Sequence, residues 1–243
     1  NYGELTADDV VFSLGKAGTK ATSSFAADYA AIDSVTAVDP LTVELTIGDK
    51  YAPTYVLNLM STVTSSIVDK KLVMEHEKDG DLGHEWLKTN SAGSGAFSMK
   101  SWKANESVTL EANPDYRGGA PKIERVIIRH VPESSTQRLL IEKGDVDIAR
   151  NLTPDQIKSI EGNKDVVVET YPKATVYYLG LSQKVEPLKN PKVQEALRYL
   201  IDYQGMADSF LKGQMQVHQS FWPAGFFASL EENPSSFDPA KAK

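Results

Sequence analysis

The sequence predicts a mixed α/β (α+β) fold. Alternating apolar residues mark two hairpins in its first half. Short β-branched runs then alternate with helical patterns, and one helix near the C-terminal end carries a clear apolar stripe.

The first helix starts almost at once, in Leu5-Thr6-Ala7-Asp8-Asp9-Val10-Val11-Phe12-Ser13-Leu14. Thr6 is placed to cap the Asp9 N–H, and Asp8 and Asp9 suit the positive end of the helix dipole. Residues 32–38 alternate weakly and turn at Asp39-Pro40. Val43, Leu45 and Ile47 then share one face of a strictly alternating strand, so this hairpin has one wet face. Residues 55–60 read as helix, and the charged stretch 70–88 as a helix plus a surface loop. After Gly93-Ser94-Gly95, Phe97 and Met99 alternate with Ser98 and Lys100. Residues 103–106 turn the chain, and Val108 and Leu110 bring the strand back.

A loop rich in Gly, Pro, Asn and Asp follows at residues 113–121. Val126-Ile127-Ile128 reads as a fully buried strand. A helix over 134–143 is closed by Gly144, a residue suited to the left-handed cap. Val146 and Ile148 make a short strand. Thr153-Pro154 is a cap followed by a first-turn proline, opening a helix that Gly162 ends. Residues 166–168 and 176–179 read as further strands. Asn190-Pro191 opens a helix in which Val193, Ala196, Leu197, Leu200 and Ile201 form a buried stripe. A shorter helix over 206–211 stops at Gly213, and the end of the chain, residues 238–243, has no apolar pattern and closes no unit. With helix so near one end and loose chain at the other, the sequence reads as an internal piece of a longer protein.

Composition narrows the function. The chain has 243 residues, 41% hydrophobic and 24% charged, which excludes collagen-like, coiled-coil and wholly disordered proteins. The absence of cysteine excludes disulfides, thiolate zinc sites and a cysteine nucleophile. A net charge of −7 without a basic stripe argues against nucleic acid as a partner. Uncharged stretches such as 54–68 are too short and polar to cross a bilayer. The opening residues 1–5 carry neither a basic nor an apolar leader region.

Few residues suggest catalysis. Gly93-Ser94-Gly95 is followed by a strand, so it lacks the helix N-terminus a phosphate cradle needs, and a permissive turn is expected instead. Ser94 has Ala92 and Ala96 where a nucleophile elbow has glycines. His76 and His84 fit no ligand spacing on one helix face, His130 reads as structural, and no metal is expected. Asp145 and Asp147 flank Val146 and point to one face of the short strand. They and His218 carry the enzyme alternative, a hydrolase, although no recognisable nucleophile–base pair supports it. The aromatics are more informative. Tyr177 and Tyr178 are neighbours on one strand, so their rings face opposite ways, and one can be core while the other lines a surface or cleft. Phe221-Trp222-Pro223-Ala224-Gly225-Phe226-Phe227 reads as an ordered loop facing a ligand or as a hydrophobic plug. A protein-interaction module using the loop near Trp222 is a further alternative.

Five segments, in order, resemble the large extracytoplasmic solute-binding proteins of ABC transporters, the family that takes oligopeptides, dipeptides, nickel complexes and related solutes. Residues 5–14 are similar to the family's early helix. Gly93-Ser94-Gly95-Ala96-Phe97, with Trp102, residues 110–116 and Gly118-Gly119-Ala120-Pro121-Lys122, resembles its glycine turn and the motif after it. Residues 140–148 resemble a helix–glycine–strand element. Tyr177-Tyr178-Leu179-Gly180-Leu181-Ser182 resembles the strand that crosses between lobes. Pro191-Lys192-Val193-Gln194-Glu195-Ala196-Leu197, ending in Ile201-Asp202, resembles the next helix. Ala96, Arg117 and Gln194 stand where the family usually has proline, tryptophan and arginine.

The resemblance implies a type II periplasmic-binding-protein fold of two lobes, here mostly lobe one plus the start of lobe two. Residues 1–88 would be a lobe-one subdomain, 89–174 part of the main lobe-one sheet, and 175–243 the hinge strand and the opening of lobe two. It implies capture of a solute, foremost an oligopeptide or dipeptide, for presentation to membrane ABC permease subunits, without catalysis or cofactor. A periplasmic, monomeric protein is expected. The implied ligand-binding residues are Met60, Ser61 and Thr62, Tyr177 and Tyr178 on the crossing strand, and Phe221 and Trp222.

Overall fold

Helix α1 (Ala7–Ala17) lies over a hairpin of β1 (Ile32–Asp39) and β2 (Thr42–Ile47). A computed structural model describes residues 3–20, 23–171 and 173–243, so the first two residues of the leader reading lie outside the described residues. The chain divides into two compact units, residues 1–130 and 131–243.

In the first unit, Asp39 makes the hairpin turn by accepting the Leu41 N–H at 2.8 Å. Val35 pairs with Leu45, and Ala37 with Val43. Val43, Leu45 and Ile47 are half-buried while their neighbours are exposed, as the alternation requires. The core forms where α1 meets this hairpin: Leu14, Ala17, Tyr29 and Leu59 are buried together, with Val10, Ile32, Val35, Leu45, Met60 and Ile67 packed around them. Helix α2 (Pro53–Met60) contributes Leu59 and Met60. Tyr29 buries its polar end as well. Its hydroxyl meets Ser65 Oγ at 2.7 Å, and Ser65 Oγ in turn donates to the Leu59 carbonyl at 2.8 Å.

The charged stretch 70–88 holds two short helices, α3 (Lys70–Met74) and α4 (His84–Leu87), instead of one. The Thr6 hydroxyl donates to the Asp9 carboxylate at 3.0 Å, and the Thr6 N–H donates to the same oxygen at 2.8 Å. The other Asp9 oxygen accepts the Lys70 N–H at 2.8 Å, fastening α1 to the start of α3.

A second sheet runs β3 (Phe97–Lys103), β4 (Ser107–Ala112), β5 (Arg125–Arg129), all antiparallel, with β4 central. The expected turn at 103–106 is present, with Asn105 in the left-handed region at φ 58°. Two expectations fail here. β5 is an edge strand that pairs only with β4 among the described residues, and Ile127 and Ile128, on its opposite faces, are 57% and 55% exposed. Gly93 and Gly95 are not among the positive-φ glycines, so the turn does not use their extra backbone freedom.

In the second unit three helices start where the sequence places them, while the last lies at Tyr203–Asp208 instead of 206–211, and Leu200 and Ile201 fall beyond the end of their helix at Tyr199. Helix α5 (Ser134–Lys143) closes on Gly144 at φ 74°, with Gly144 N–H bonded to the Ile141 carbonyl and Asp145 N–H to that of Leu140. In α6 (Pro154–Ile160), Thr153 Oγ1 accepts the Gln156 N–H at 3.3 Å, and the Gln156 side chain accepts the Thr153 N–H at 2.9 Å. Asn190 caps α7 (Pro191–Tyr199) by accepting the Lys192 N–H, and Gln194 donates to the Leu188 carbonyl at 2.7 Å. Helix α8 (Tyr203–Asp208) follows, and Gly213 takes φ 76°. The stripe of α7 is only half-buried, and Leu200 is 51% exposed. The segment 238–243 is held to α7, with the Asp238 N–H bonded to the Tyr199 carbonyl at 2.9 Å and Lys241 Nζ 4.1 Å from the Tyr199 ring centre.

The strands expected at Val146–Ile148, 166–168 and 176–179 are absent among the described residues. These runs have the right residue types, but a strand is completed by a neighbour that takes up its backbone N–H and C=O groups. Among the described residues no strand pairs with them, and Ile148, Val167 and Leu179 are largely exposed.

Candidate functional site

Met60, Ser61 and Thr62 lie at the end of α2. Met60 packs against the core cluster, while Ser61 and Thr62 are exposed. Ser61 Oγ donates to the Asn58 carbonyl and Thr62 Oγ1 to that of Leu59, both at 2.7 Å, so both hydroxyls secure the end of the helix. A concavity of about 330 Å³ lies in the same unit, lined among others by Lys16, Phe25, Thr64, Ser66 and His84. Its hydroxyls are engaged nearby: Ser66 Oγ donates to the Val63 carbonyl, and Thr64 Oγ1 meets Thr62 Oγ1 at 2.7 Å.

The strongest electrostatic feature of this unit lies in the loop from α3 to α4. The Asp81 carboxylate accepts the N–H groups of Lys78, Gly83 and Glu85, at 2.8 to 3.0 Å. These bonds, chiefly that from Glu85, hold its carboxyl down to about 2. Lys16 donates to the Leu82 carbonyl at 3.1 Å, and burial pushes its ammonium below the ordinary lysine value, opposed by the Asp81 charge. For Asp9, burial pushes upward, but the bonds from Lys70 and Thr6 prevail and hold the carboxyl below its ordinary value. His76 stacks on Trp86 with ring centres 4.4 Å apart. These groups organise a loop, and no cluster of three or more His, Asp or Glu suited to a metal occurs among the described residues.

In the second unit, Tyr177 is 76% and Tyr178 84% exposed. Neither ring is core, although the sequence left room for one to be. Phe221 and Trp222 meet edge to face, ring centres 5.4 Å apart, and Phe221 is 86% exposed. This loop is no plug: Phe227 is 99% exposed. It is nevertheless ordered by polar bonds that the aromatic pattern does not disclose. His218 Nε2 lies 2.7 Å from the Trp222 carbonyl oxygen, and Ser229 Oγ donates to the same carbonyl at 3.2 Å. Gln219 and Ser235 pair reciprocally through backbone and side chain at 2.7 and 2.8 Å. Among the described residues no ring contact joins Tyr177 or Tyr178 to Phe221 or Trp222.

The hydrolase residues do not assemble. Asp145 and Asp147 are exposed and follow the cap of α5, with no strand to aim them, and the His218 ring serves the loop. Sequence reasoning picked out His218 for its aromatic neighbours, but nothing in the spacing points to a carbonyl as its partner.

Four similarities to known proteins bear on this arrangement. Residues 3–243 match the family described as bacterial extracellular solute-binding proteins, family 5 Middle. The probable D,D-dipeptide-binding periplasmic protein DdpA of Escherichia coli K12 is 33% identical over 193 residues, covering 79% of this chain and 37% of that protein. MoaA from A. tumefacien R10, solved with mannopinic acid, aligns at TM-score 0.82 and 29% identity, covering 100% of this chain and 48% of that one. DppA from Helicobacter pylori, solved with the peptide STSA, aligns at TM-score 0.87 and 23% identity, covering 99% of this chain and 49% of that one. The chain thus spans less than half the length of these relatives, and its fold is part of the type II periplasmic-binding-protein fold. With the family matched over residues 3–243, the chain belongs to the bacterial extracellular solute-binding proteins of family 5.

Proposed function

We propose that this chain is part of a protein that captures a solute outside the cytoplasm for import by an ABC permease, binding oligopeptides or dipeptides without turning them over. The observation that carries this reading is the 33% identity, over 79% of this chain, to a protein named for D,D-dipeptides. The exposed rings of Tyr177, Tyr178, Phe221 and Trp222 fit it, because aromatic faces accept varied peptide side chains at little entropic cost. Within the first unit, the reading takes Met60, Ser61 and Thr62 as ligand-binding residues. The reading keeps a lobe-one subdomain over 1–88, part of the main lobe-one sheet over 89–174, and the hinge strand with the start of lobe two over 175–243; its first boundary lies between the two sheets, whereas the compact units divide after residue 130. The protein works as a monomer in the periplasm.

MoaA favours a second reading, an opine-type solute such as mannopinic acid. Native mass spectrometry of the full-length protein separates the two. Release of a heterogeneous set of peptides on denaturation supports peptide capture. Release of one defined sugar–amino acid conjugate refutes peptide and assigns the opine class. A substrate peptide cleaved during incubation refutes binding without turnover.

A further inference from the structure

We propose that His218 is a positioning residue for the solute: its Nε2–H fixes the Trp222 carbonyl and thereby presents the Phe221–Trp222 corner to an apolar or aromatic side chain of the solute. The proposal rests on the reading of Phe221 and Trp222 as solute-contacting residues.

The tautomer follows from the partner. A carbonyl oxygen only accepts, so at 2.7 Å from it His218 Nε2 carries the proton. Ser229 Oγ adds a second donor to the same oxygen at 3.2 Å and lies 3.3 Å from His218 Nε2. The three groups thus close a triangle across the base of the loop. Below it, Gln219 locks the stem against Ser235, and the Gln219 N–H donates to Asn233 Oδ1 at 2.9 Å. Above it, the Phe226 N–H bonds to the Pro223 carbonyl at 3.2 Å and the Ser229 N–H to the Phe226 carbonyl at 3.0 Å, making two successive turns.

The resulting backbone includes Ala228 in the left-handed region at φ 63°, a conformation an alanine keeps only when its surroundings enforce it. The loop is therefore held by polar bonds at its base while its rings stand in solvent, Phe221 at 86% and Phe227 at 99% exposure. Exposed aromatics on an unfastened loop lose much of their binding energy to ordering; fastening the base removes that loss in advance. His218 holds the carbonyl of the ring-bearing residue itself, so it governs the direction of the Trp222 side chain more directly than Gln219 does.

The test uses full-length protein with Trp222 as its sole tryptophan, comparing His218→Ala, His218→Gln and Ser229→Ala. Three quantities are measured: acrylamide quenching of Trp222, the melting temperature, and affinity for the dipeptides Leu-Phe and Gly-Gly. A glutamine amide nitrogen falls about where imidazole Nε2 does, so His218→Gln keeps the donor. His218→Ala is expected to make Trp222 more quenchable and to weaken Leu-Phe about threefold to tenfold relative to Gly-Gly. Ser229→Ala shifts both the same way by less, and His218→Gln restores both. If His218→Ala lowers the melting temperature but leaves quenching and the Leu-Phe to Gly-Gly ratio unchanged, the residue is merely structural and the proposal is overturned. If the parent protein binds neither dipeptide, the peptide reading fails, and the grip on a peptide side chain fails with it whatever the quenching shows.

Discussion

Gly83 is the position where adding one methyl group should do most harm. It sits at φ 67° between the Asp81 turn and α4, and a Cβ built there falls 2.5 Å from Val73 Cγ1 and 2.8 Å from the Val73 carbonyl oxygen. Val73 is 0% exposed and has nowhere to go, and its carbonyl belongs to the backbone at the end of α3. Placing alanine in the left-handed region costs about 1–2 kcal/mol, and overpacking a filled core adds about 1–3 kcal/mol. Gly83→Ala is therefore expected to destabilise the first unit by about 2–5 kcal/mol. That is a large share of the stability of an ordinary domain.

Urea unfolding followed by Trp86 fluorescence, with Trp86 the only tryptophan, reads the effect beside the loop, since that ring stacks on His76. Gly83→Asn separates the two causes, because asparagine tolerates the left-handed region but still carries a Cβ. It should be nearly as damaging as alanine. Adding Val73→Ala to Gly83→Ala removes the Cγ1 clash and should leave the double variant about 1 kcal/mol better than additivity predicts. A Gly83→Ala protein within about 0.5 kcal/mol of the parent, a change typical of an uninvolved surface site, refutes the packing argument. Full recovery in Gly83→Asn assigns the loss to backbone strain alone.

Three further predictions concern other parts of the chain. Thr153→Ala removes the reciprocal cap of α6 and should cost about 1 kcal/mol, seen as faster amide exchange over residues 154–160 with α7 unchanged. Tyr29→Phe deletes the buried hydroxyl bonded to Ser65 and should lower the stability of the first unit by about 1 kcal/mol; an unchanged urea midpoint contradicts that bond. Asp81 gives a pH signature. Its folded-state carboxyl is held at about 2, below the ordinary value near 3.9, so as pH falls the unfolded chain takes up the proton first. Its stabilising contribution is complete above the unfolded value and disappears as pH falls toward 2. Asp81→Asn should flatten the acid limb of the urea midpoint measured between pH 5 and 2, and an identical acid limb in both proteins counts against the three backbone bonds.

What the sequence made legible was mostly local. The cap at Thr153, the left-handed close at Gly144 and the hairpin turn at Asp39-Pro40 each depend on residues within a few positions, and residue type determines them. The strands at 166–168 and 176–179 were misread because a β-branched run specifies willingness to pair, and pairing needs a second strand. Ile127 and Ile128 were misread for a related reason: an apolar run predicts burial only if another layer covers it. At the candidate site, the aromatic cluster around Trp222 was visible as composition. The bond from His218 to a backbone carbonyl was not, since every residue offers that acceptor and no side-chain pattern marks which one is used. Met60 shows the converse: as read from the sequence it faces a ligand, whereas in the fold it also packs on Leu59 and its core neighbours.

The Asp9 carboxylate serves two helix starts that lie sixty-one residues apart in the chain, its own and that of Lys70. The first hairpin and α2 lie between these two points, so the bond closes a loop that contains them. This one anion therefore acts as a latch on the whole intervening segment. The bond is exposed, so exchange of the Lys70 amide should report the local parting of α3 from α1, ahead of unfolding of the first unit.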